Sequence, residues 1–222
     1  MNKITIKLTS WKDVCINTYY DIADIIDEEG LTEYEKNIKV LAIICGVDED
    51  DIWNLPITEV RALISQCEWI NHFDFNKNMK FKKMSLNNEK YIIDADLQHF
   101  TAAQYIDFQT LWAKKDLKTY YGNILACFII PKGKHYGEGY DIAELANDIR
   151  ETISIVTANE ILYFFLEECL SSIRAIKIYL DFMMKKVMKK QKNPAALKQM
   201  MEAAKKWTEI QQIILDGLHG LI

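Results

Sequence analysis

Apolar residues recur three and four positions apart along most of the chain, a spacing that predicts amphipathic α-helices. One face of the stretch 31–46 carries four of them: Tyr34, Ile38, Leu41 and Cys45. Gly46 follows directly and suits the left-handed backbone conformation that ends many helices. The chain is therefore predicted to be mainly α-helical.

Side chains that cap helix ends mark several helix starts. Thr9 and Ser10 offer N-cap oxygens for a first helix. Asp48 is the expected N-cap of a short helix with an acidic first turn, which Pro56 stops. The tetrapeptide TAAQ at 101–104 fits a capping box at the start of a later helix. The sequence thus predicts successive helices joined by short turns.

Two stretches instead alternate apolar and polar residues, which is the pattern of a β-strand. One is the opening stretch, with Ile4, Ile6 and Leu8. The other is 73–96, where the pattern is interrupted by Asn87-Asn88, a dipeptide that tolerates the positive φ angles of a tight hairpin turn. We predict a β-hairpin there, joined by the opening strand in a small three-stranded sheet.

A loose internal duplication divides the chain. LKTYYGNILACFIIPKG corresponds to YEKNIKVLAIICG in its order of tyrosine, asparagine, apolar run and glycine. The spacings drift between the two halves, so the pattern indicates two loosely similar helical lobes and not a solenoid. The predicted organisation is a strand and helical lobe at 1–72, a β-hairpin at 73–97, a second helical lobe at 98–182 and a helical extension at 183–222.

The stretch LACFIIPKGKHYGEGYD at 125–141 has three glycines, two lysines and a histidine, and so resembles a phosphate-binding loop in composition. Such a loop follows a strand and has the pattern GxxxxGK[ST]; here the lysine is misplaced, the Ser/Thr is missing and the predicted preceding element is a helix. We interpret the stretch as a structural joint. Pro131 would end a helix, Gly133 would reverse the chain and Asp141 would cap the next helix.

Residues that bind metals or act as nucleophiles are scattered. The four histidines form no HxxxH or HExxH pair. The acidic run Asp48–Asp51 matches only the first two positions of a calcium loop. No GxSxG motif occurs, and no cysteine has an obvious histidine partner. We expect no enzyme and no cofactor or metal, with a catalytic group assembled from distant residues as the alternative.

The composition also predicts where in the cell the protein is found. The net charge of -5 over 222 residues is too small for electrostatic capture of nucleic acid by the whole molecule. Five cysteines without a CxxC pair are typical of reduced thiols packed as small core residues in a cytosolic protein. The opening residues lack the apolar core of a signal peptide, and no apolar run approaches the ~18 residues of a membrane span. A soluble protein that is not exported is expected.

Aromatic residues mostly follow the helical spacing, which favours core packing over a partner surface as their role. They include Trp11, Trp53, Trp69, Trp112, Trp207 and the run Tyr163–Phe165.

The last 42 residues form a separate electrostatic region, because their eight lysines and four acids give +4 against -9 for the first 180. Asn193 and Pro194 start a final helix with an apolar stripe. The predicted partner-binding stripe is Leu197, Met200, Met201, Ala204, Trp207, Ile210, Ile214 and Leu218. The predicted lysine contacts to an acidic partner or nucleic acid include Lys185, Lys186, Lys189 and Lys190. A helical hairpin folded onto its own body and a partner-binding arm both stay open.

Five segments within residues 4–170 carry a family resemblance, in the order of their elements. They are KITIKLTSWKD, YEKNIKVLAIICGVDEDDIWNLPITEV, YIIDADLQHFTAAQYIDFQTL, ILACFIIPKGKHYGEGYD and EILYFFLEE. In this order the chain resembles proteins encoded among the virion genes of tailed bacteriophages, namely tail-assembly chaperones and small head-tail proteins, especially those of crAss-like phages. The family offers no catalytic residues to carry over, and the basic extension is not part of its pattern.

The resemblance implies a non-enzymatic structural or assembly protein associated with the portal and tail region, packaged in the virion as cargo. The expected partners are other portal or tail proteins or further copies of this chain, and the expected location is the virion or the host cytoplasm. The alternatives are a transient tail-assembly chaperone absent from the virion, a nucleic-acid-binding module that uses the basic extension, a small hydrolase, and a host-type adaptor.

Overall fold

The computed structural model describes residues 4–77, 83–94 and 99–190, together with Glu202 and Lys205; from 172 to 190 it describes the backbone and the Ile178 side chain. The helices within these ranges are α1 (Ile16–Asp27), α2 (Glu33–Cys45), α3 (Glu49–Trp53), α4 (Ile57–Gln66), α5 (Ala102–Ala113), α6 (Leu117–Ala126), α7 (Ile142–Thr152) and α8 (Ile155–Lys190), with a 3-10 helix at Glu68–Asn71. The strands are β1 (Lys83–Leu86), β2 (Glu89–Ile93) and β3 (Ile129–Pro131). The predicted mainly helical fold with a small antiparallel sheet is confirmed.

Gly46 and Asp48 lie at the predicted helix ends, and α2 also begins with a capping box that was not predicted. Thr32 and Glu35 form a capping box: the Glu35 backbone N–H donates to the Thr32 hydroxyl, and the Thr32 N–H donates to the Glu35 carboxylate at 2.8 Å. Gly46 ends α2 with φ of 60°. Asp48 is the N-cap of α3, and Pro56 precedes the first residue of α4.

The predicted start of the first helix at Thr9 and Ser10 is wrong, since α1 begins at Ile16. Both hydroxyls donate to the Asp13 carboxylate, at 2.8 and 3.1 Å, and this turn lowers the pKa of Asp13. The helix start is set instead by pairing with the distant chain: the Ile16 N–H donates to the Ile153 carbonyl, and the Ile155 N–H donates to the Val14 carbonyl. A contact more than 130 residues away in sequence thus decides where α1 begins.

The opening stretch is also not a strand. Its backbone N–H groups at Lys7 and Leu8 both donate to the Ile44 carbonyl near the end of α2, and the Lys7 ammonium donates to the Gly46 carbonyl at 3.1 Å. The alternating side chains of Ile4, Ile6 and Leu8 still pack against the core. The segment buries its alternating apolar side chains while its backbone lies along the end of α2. It forms no ladder of hydrogen bonds with a strand there.

The three-stranded sheet has the strand order β1, β2, β3, so its third strand is Ile129–Pro131 and not the opening stretch. The hairpin itself forms as predicted, with φ of 49° at Asn87 and 65° at Asn88. β3 pairs antiparallel with β2, and Ile92 lies opposite Ile130. The prediction that a helix runs to Pro131 is therefore wrong: α6 ends at Ala126, because the following apolar residues find a sheet edge instead.

The core of the second lobe is built on the first half of α8. The Phe165 ring is fully buried and contacts Phe128, Phe108 and Phe100 at centroid distances of 4.4, 4.9 and 5.6 Å. α5 opens with the predicted capping box between Thr101 and Gln104. The Gln104 side chain then donates to the Cys127 carbonyl at 3.0 Å and ties α5 to the end of α6.

Helix α6 packs closely on α7, and a glycine allows the approach. A Cβ atom at Gly122 would collide with the Ala146 carbonyl oxygen and the Arg150 side chain. Helix α1 also packs on α7, α6 and α8. A single apolar cluster therefore joins the N-terminal helices to the second lobe and leaves the outer faces of α2, α3 and α4 as the surface of the first lobe.

Candidate functional site

The predicted partner-binding residues fall at the end of the chain. Leu197, Met200, Met201, Ala204, Trp207, Ile210, Ile214 and Leu218 lie outside the described residues. Lys185, Lys186, Lys189 and Lys190 belong to the last turns of α8, of which only the backbone is described. Glu202 and Lys205 are helical and exposed, as expected for the polar face of the predicted final helix.

Three polar side chains of the glycine-rich joint at 125–141 make hydrogen bonds within the chain that shape the loop. The Lys134 ammonium donates to the Gly139 carbonyl at 2.6 Å, and the Tyr136 hydroxyl donates to the Asp107 carboxylate at 2.9 Å. Asp141 accepts from the N–H groups of Ala143 and Glu144 at the start of α7. Although this loop follows a strand, contrary to the prediction, its lysine closes the loop on itself. The geometry is that of a joint.

The buried cysteines are held as neutral thiols. Burial raises the pKa of Cys67 to about 11 and those of Cys127 and Cys169 to about 12, and it also raises the pKa of Cys45. A nucleophilic cysteine needs the opposite shift, because the thiolate is the reactive form. All five cysteines are free, and Cys15 is the one with partial exposure.

Among the described residues there is no group of three His, Cys, Asp or Glu side chains that could hold a metal ion. His99 lies 3.3 Å from the Asp94 carboxylate on the surface beside the sheet. The acidic run Asp48–Asp51 forms the start of α3, where its carboxylates oppose the positive end of the helix dipole.

A groove of about 240 Å³ opens on the first lobe, between the end of α1, the first two turns of α2, and the end of α4 with the 3-10 helix. We call it the N-terminal groove. Its apolar floor is formed by Val40, Leu41, Ile64, Cys67 and Ile70. Its rim is formed by Ile26, Glu33, Lys36, Asn37, Glu68 and Asn71.

The rim of the N-terminal groove is fixed by the backbone of its neighbours. The Lys36 ammonium donates to the Ile26 carbonyl at 2.5 Å and so clips α2 to the end of α1. This contact satisfies a carbonyl at the C-terminal end of α1. The Lys36 ammonium is thereby drawn toward α1, while the carboxylates of Glu33 and Glu68 stay exposed on the rim.

Large apolar side chains stay exposed on the first lobe, one of them on the groove rim. Ile26 on the rim is 45% exposed, and Tyr34, the residue after Glu33, is 38% exposed. The Tyr34 ring contacts Trp53 edge to face at 5.8 Å, yet Trp53 is still 48% exposed. Ile57, four residues further on, is equally exposed. Of these side chains Tyr34 and Trp53 are in contact, and exposed apolar groups in contact mark an interaction site more often than single ones.

The charge of this lobe is strongly one-sided. Residues 1–72 contain six Lys and Arg against fourteen Asp and Glu, a net charge of -8. Glu49, Asp50 and Asp51 precede Trp53 directly, and Glu33 and Glu68 stand on the groove rim. The exposed aromatic pair and the groove therefore lie in a negative field, which attracts a basic partner.

The sequence carried a partial signal for this site. The acidic excess of the first 72 residues can be counted directly, but the groove draws on three helices whose packing the helical spacing does not specify. Trp53, favoured as a core residue by its spacing, is exposed. For Trp11 the same interpretation is confirmed, because this residue is buried.

No protein family, no curated protein and no solved structure matches this chain. In the part of the chain that the structure describes, none of the helices has the length and apolar character needed to cross a membrane.

Proposed function

We propose that this protein is a non-enzymatic structural or assembly protein of a tailed phage, associated with the portal and tail region and packaged in the virion as cargo. The phage assignment rests on the resemblance of the order of elements between residues 4 and 170. The assembly role rests on the surface of the first lobe, where an apolar groove and an exposed aromatic pair lie in an acidic field.

The observation that carries the proposal is the exposed pairing of Trp53 with Tyr34, the residue that follows Glu33 of the groove rim. Aromatic side chains left in water are costly by about 25 cal/mol per Å² of apolar area, and they are enriched at the anchor points of protein interfaces. The groove volume of about 240 Å³ is small for a drug-sized ligand, since such pockets start near roughly 300 Å³. It suits one or two side chains of a protein partner.

Quantitative mass spectrometry of purified virions tests the function. In a phage whose genome encodes this chain, we expect the protein in wild-type particles and its loss when Trp53 and Ile57 are both replaced by serine. The matched control replaces Ile106 and Ile178, which are also exposed but are not part of the groove surface. This control should be packaged normally.

The other outcomes separate the alternatives. Absence of the wild-type protein from particles, together with failed tail assembly when the gene is deleted, would replace the virion component with a transient chaperone. Equal packaging of the Trp53/Ile57 variant and the control would remove these exposed residues of the first lobe from the assembly role. Retention that depends on packaged DNA and falls steeply with salt would favour the nucleic-acid-binding alternative.

A further inference from the structure

We propose that the N-terminal groove binds the basic C-terminal extension (183–222) of a second copy of this chain, so that copies associate through a groove-to-extension contact. This inference rests on the groove being a protein-binding surface, as proposed above, but it does not depend on the phage assignment.

The first argument is the shape of the groove. Its floor residues Val40, Leu41 and Cys67 are each less than 9% exposed, so they form a fixed apolar surface and not a mobile patch. Along α2 the lining runs from Glu33 to Leu41, which is about 12 Å at 1.5 Å per residue. This length matches two turns of a helix laid across it. Helix-in-groove recognition uses apolar anchors at three- and four-residue spacings.

The second argument is the sequence of the extension. Its apolar stripe repeats at those spacings, beginning with Leu197, Met200, Met201 and Ala204. Glu202 and Lys205, which interleave with the stripe, are helical and exposed. The exposure of these two side chains is what binding through the apolar stripe requires of the residues between the stripe positions.

The third argument is charge. The lobe that holds the groove carries -8 over residues 1–72, and the last 42 residues carry +4. The rest of the chain, 73–180, has thirteen Lys and Arg against fourteen Asp and Glu and is nearly neutral. The two ends of the chain are thus the two charged regions, and their signs are opposite. Such complementarity steers association and fixes which surfaces meet.

The fourth argument is the length of α8 after Leu170, and the concentration dependence of association separates a second copy from the same molecule. The last α8 side chain in the described core is Leu170, and the helix continues to Lys190. These twenty residues of α-helix span about 30 Å. Ile178, midway along them, is 71% exposed. A helix of this length holds the start of the extension well away from the core residues that anchor it.

Sedimentation velocity of the full-length chain over a range of concentrations tests the proposal. The wild type should form dimers or larger species that weaken between low and high salt. A groove variant, Glu33→Lys with Glu68→Lys, should lose association by about tenfold or more, because its rim repels the extension. An extension variant, Trp207→Ser with Ile210→Ser, should lose about thirtyfold if Trp207 is an anchor.

The decisive experiment mixes the two defective variants. The extension variant retains an intact groove, and the groove variant retains an intact extension, so the mixture should restore one contact and form a 1:1 dimer. The charge-matched control, Glu138→Lys with Glu151→Lys, changes the net charge equally outside the groove and should associate like the wild type. Circular dichroism melts of all variants show whether each is folded.

A wild type that is monomeric at all concentrations would overturn the proposal, as would folded variants that associate normally or a mixture that stays monomeric. Should the Glu33/Glu68 variant self-associate normally while the Trp53/Ile57 variant is lost from virions, this inference fails and the proposed function stands. A wild type that associates as described but is absent from virions would support this inference and contradict the proposed function.

Discussion

Two groups of aromatic residues in this molecule have similar sequence patterns but differ in how far the structure buries them. Tyr34 and Trp53 pair on the surface of the first lobe, 38% and 48% exposed, whereas Phe165 is fully buried among three other phenylalanine rings in the second lobe. Tyr34, Trp53 and Phe165 all lie on helices, on α2, α3 and α8. Spacing predicts which side chains share a helix face, but whether that face is covered depends on which helix packs over it.

The largest expected effect is at the buried group. Phe165→Ala should lower the free energy of unfolding by about 3–5 kcal/mol, because it leaves a cavity that the stacked Phe128 ring cannot fill. The matched change at the exposed group, Trp53→Ala, should cost less than about 1 kcal/mol. Urea unfolding followed by circular dichroism measures both. Similar losses of unfolding free energy in the two variants would contradict the distinction between the buried and the exposed group.

A substitution at the contact between α6 and α7 should change the free energy of unfolding by a smaller amount, and the sign of the change is informative. Helix propensity alone predicts that Gly122→Ala stabilises the chain by up to about 1 kcal/mol. Because the added methyl group would collide with the Ala146 carbonyl, we expect destabilisation of about 1–3 kcal/mol instead. Thermal and urea melts decide between the signs.

Gly30→Ala is the control for that substitution, because a Cβ atom there meets nothing within 4 Å. It should change the free energy of unfolding by no more than about 0.5 kcal/mol. Stabilisation by Gly122→Ala would mean that α6 and α7 are less closely packed than described.

The rates at which Cys67 and Cys127 are modified give a second comparison between the two lobes. Cys67 on the groove floor has its pKa raised to about 11, and Cys127 in the second lobe has its pKa raised to about 12. Both thiols are therefore almost entirely protonated at pH 8, and modification of either should speed up as the pH rises. Cys67 is 7% exposed and Cys127 is not exposed, so Cys67 should react first of the two. Alkylation of the native chain, with sites assigned by mass spectrometry, should show partly exposed Cys15 first and Cys67 ahead of Cys127.

After denaturation without a reductant, all five cysteines should titrate as free thiols. Faster labelling of Cys127 than of Cys67 in the native chain would show that the second lobe opens more readily than the first.

The smallest effect is expected at the joint. Replacing Lys132, Lys134 and His135 together with alanine should change the free energy of unfolding by about 0.5 kcal/mol or less, because these side chains are exposed and Lys134 makes one local hydrogen bond. In an NMR titration with phosphate, the wild type should show no chemical-shift changes that are absent from the triple variant. Loss of a bound phosphate in the variant would make the joint a site.

Features decided by neighbouring residues could be predicted from the sequence. The capping box at Thr101, the left-handed Gly46 and the turn at Asn87-Asn88 formed as expected. Each depends on a side chain and a backbone group within a few residues, so the local chain carries all the information. The mainly helical class follows from the same local periodicity.

The features that failed or were missed involve partners distant in sequence. β3 exists because β2 offers a free edge to Ile129–Pro131, and α1 starts at Ile16 because Val14 pairs with Ile155. The groove and the exposure of Trp53 depend on how α1, α2 and α4 are arranged around them. By itself the sequence determined the helices, their caps and the opposite charges of the two ends. The tertiary structure decided which apolar faces are covered, because burial is a property of packed pairs of elements.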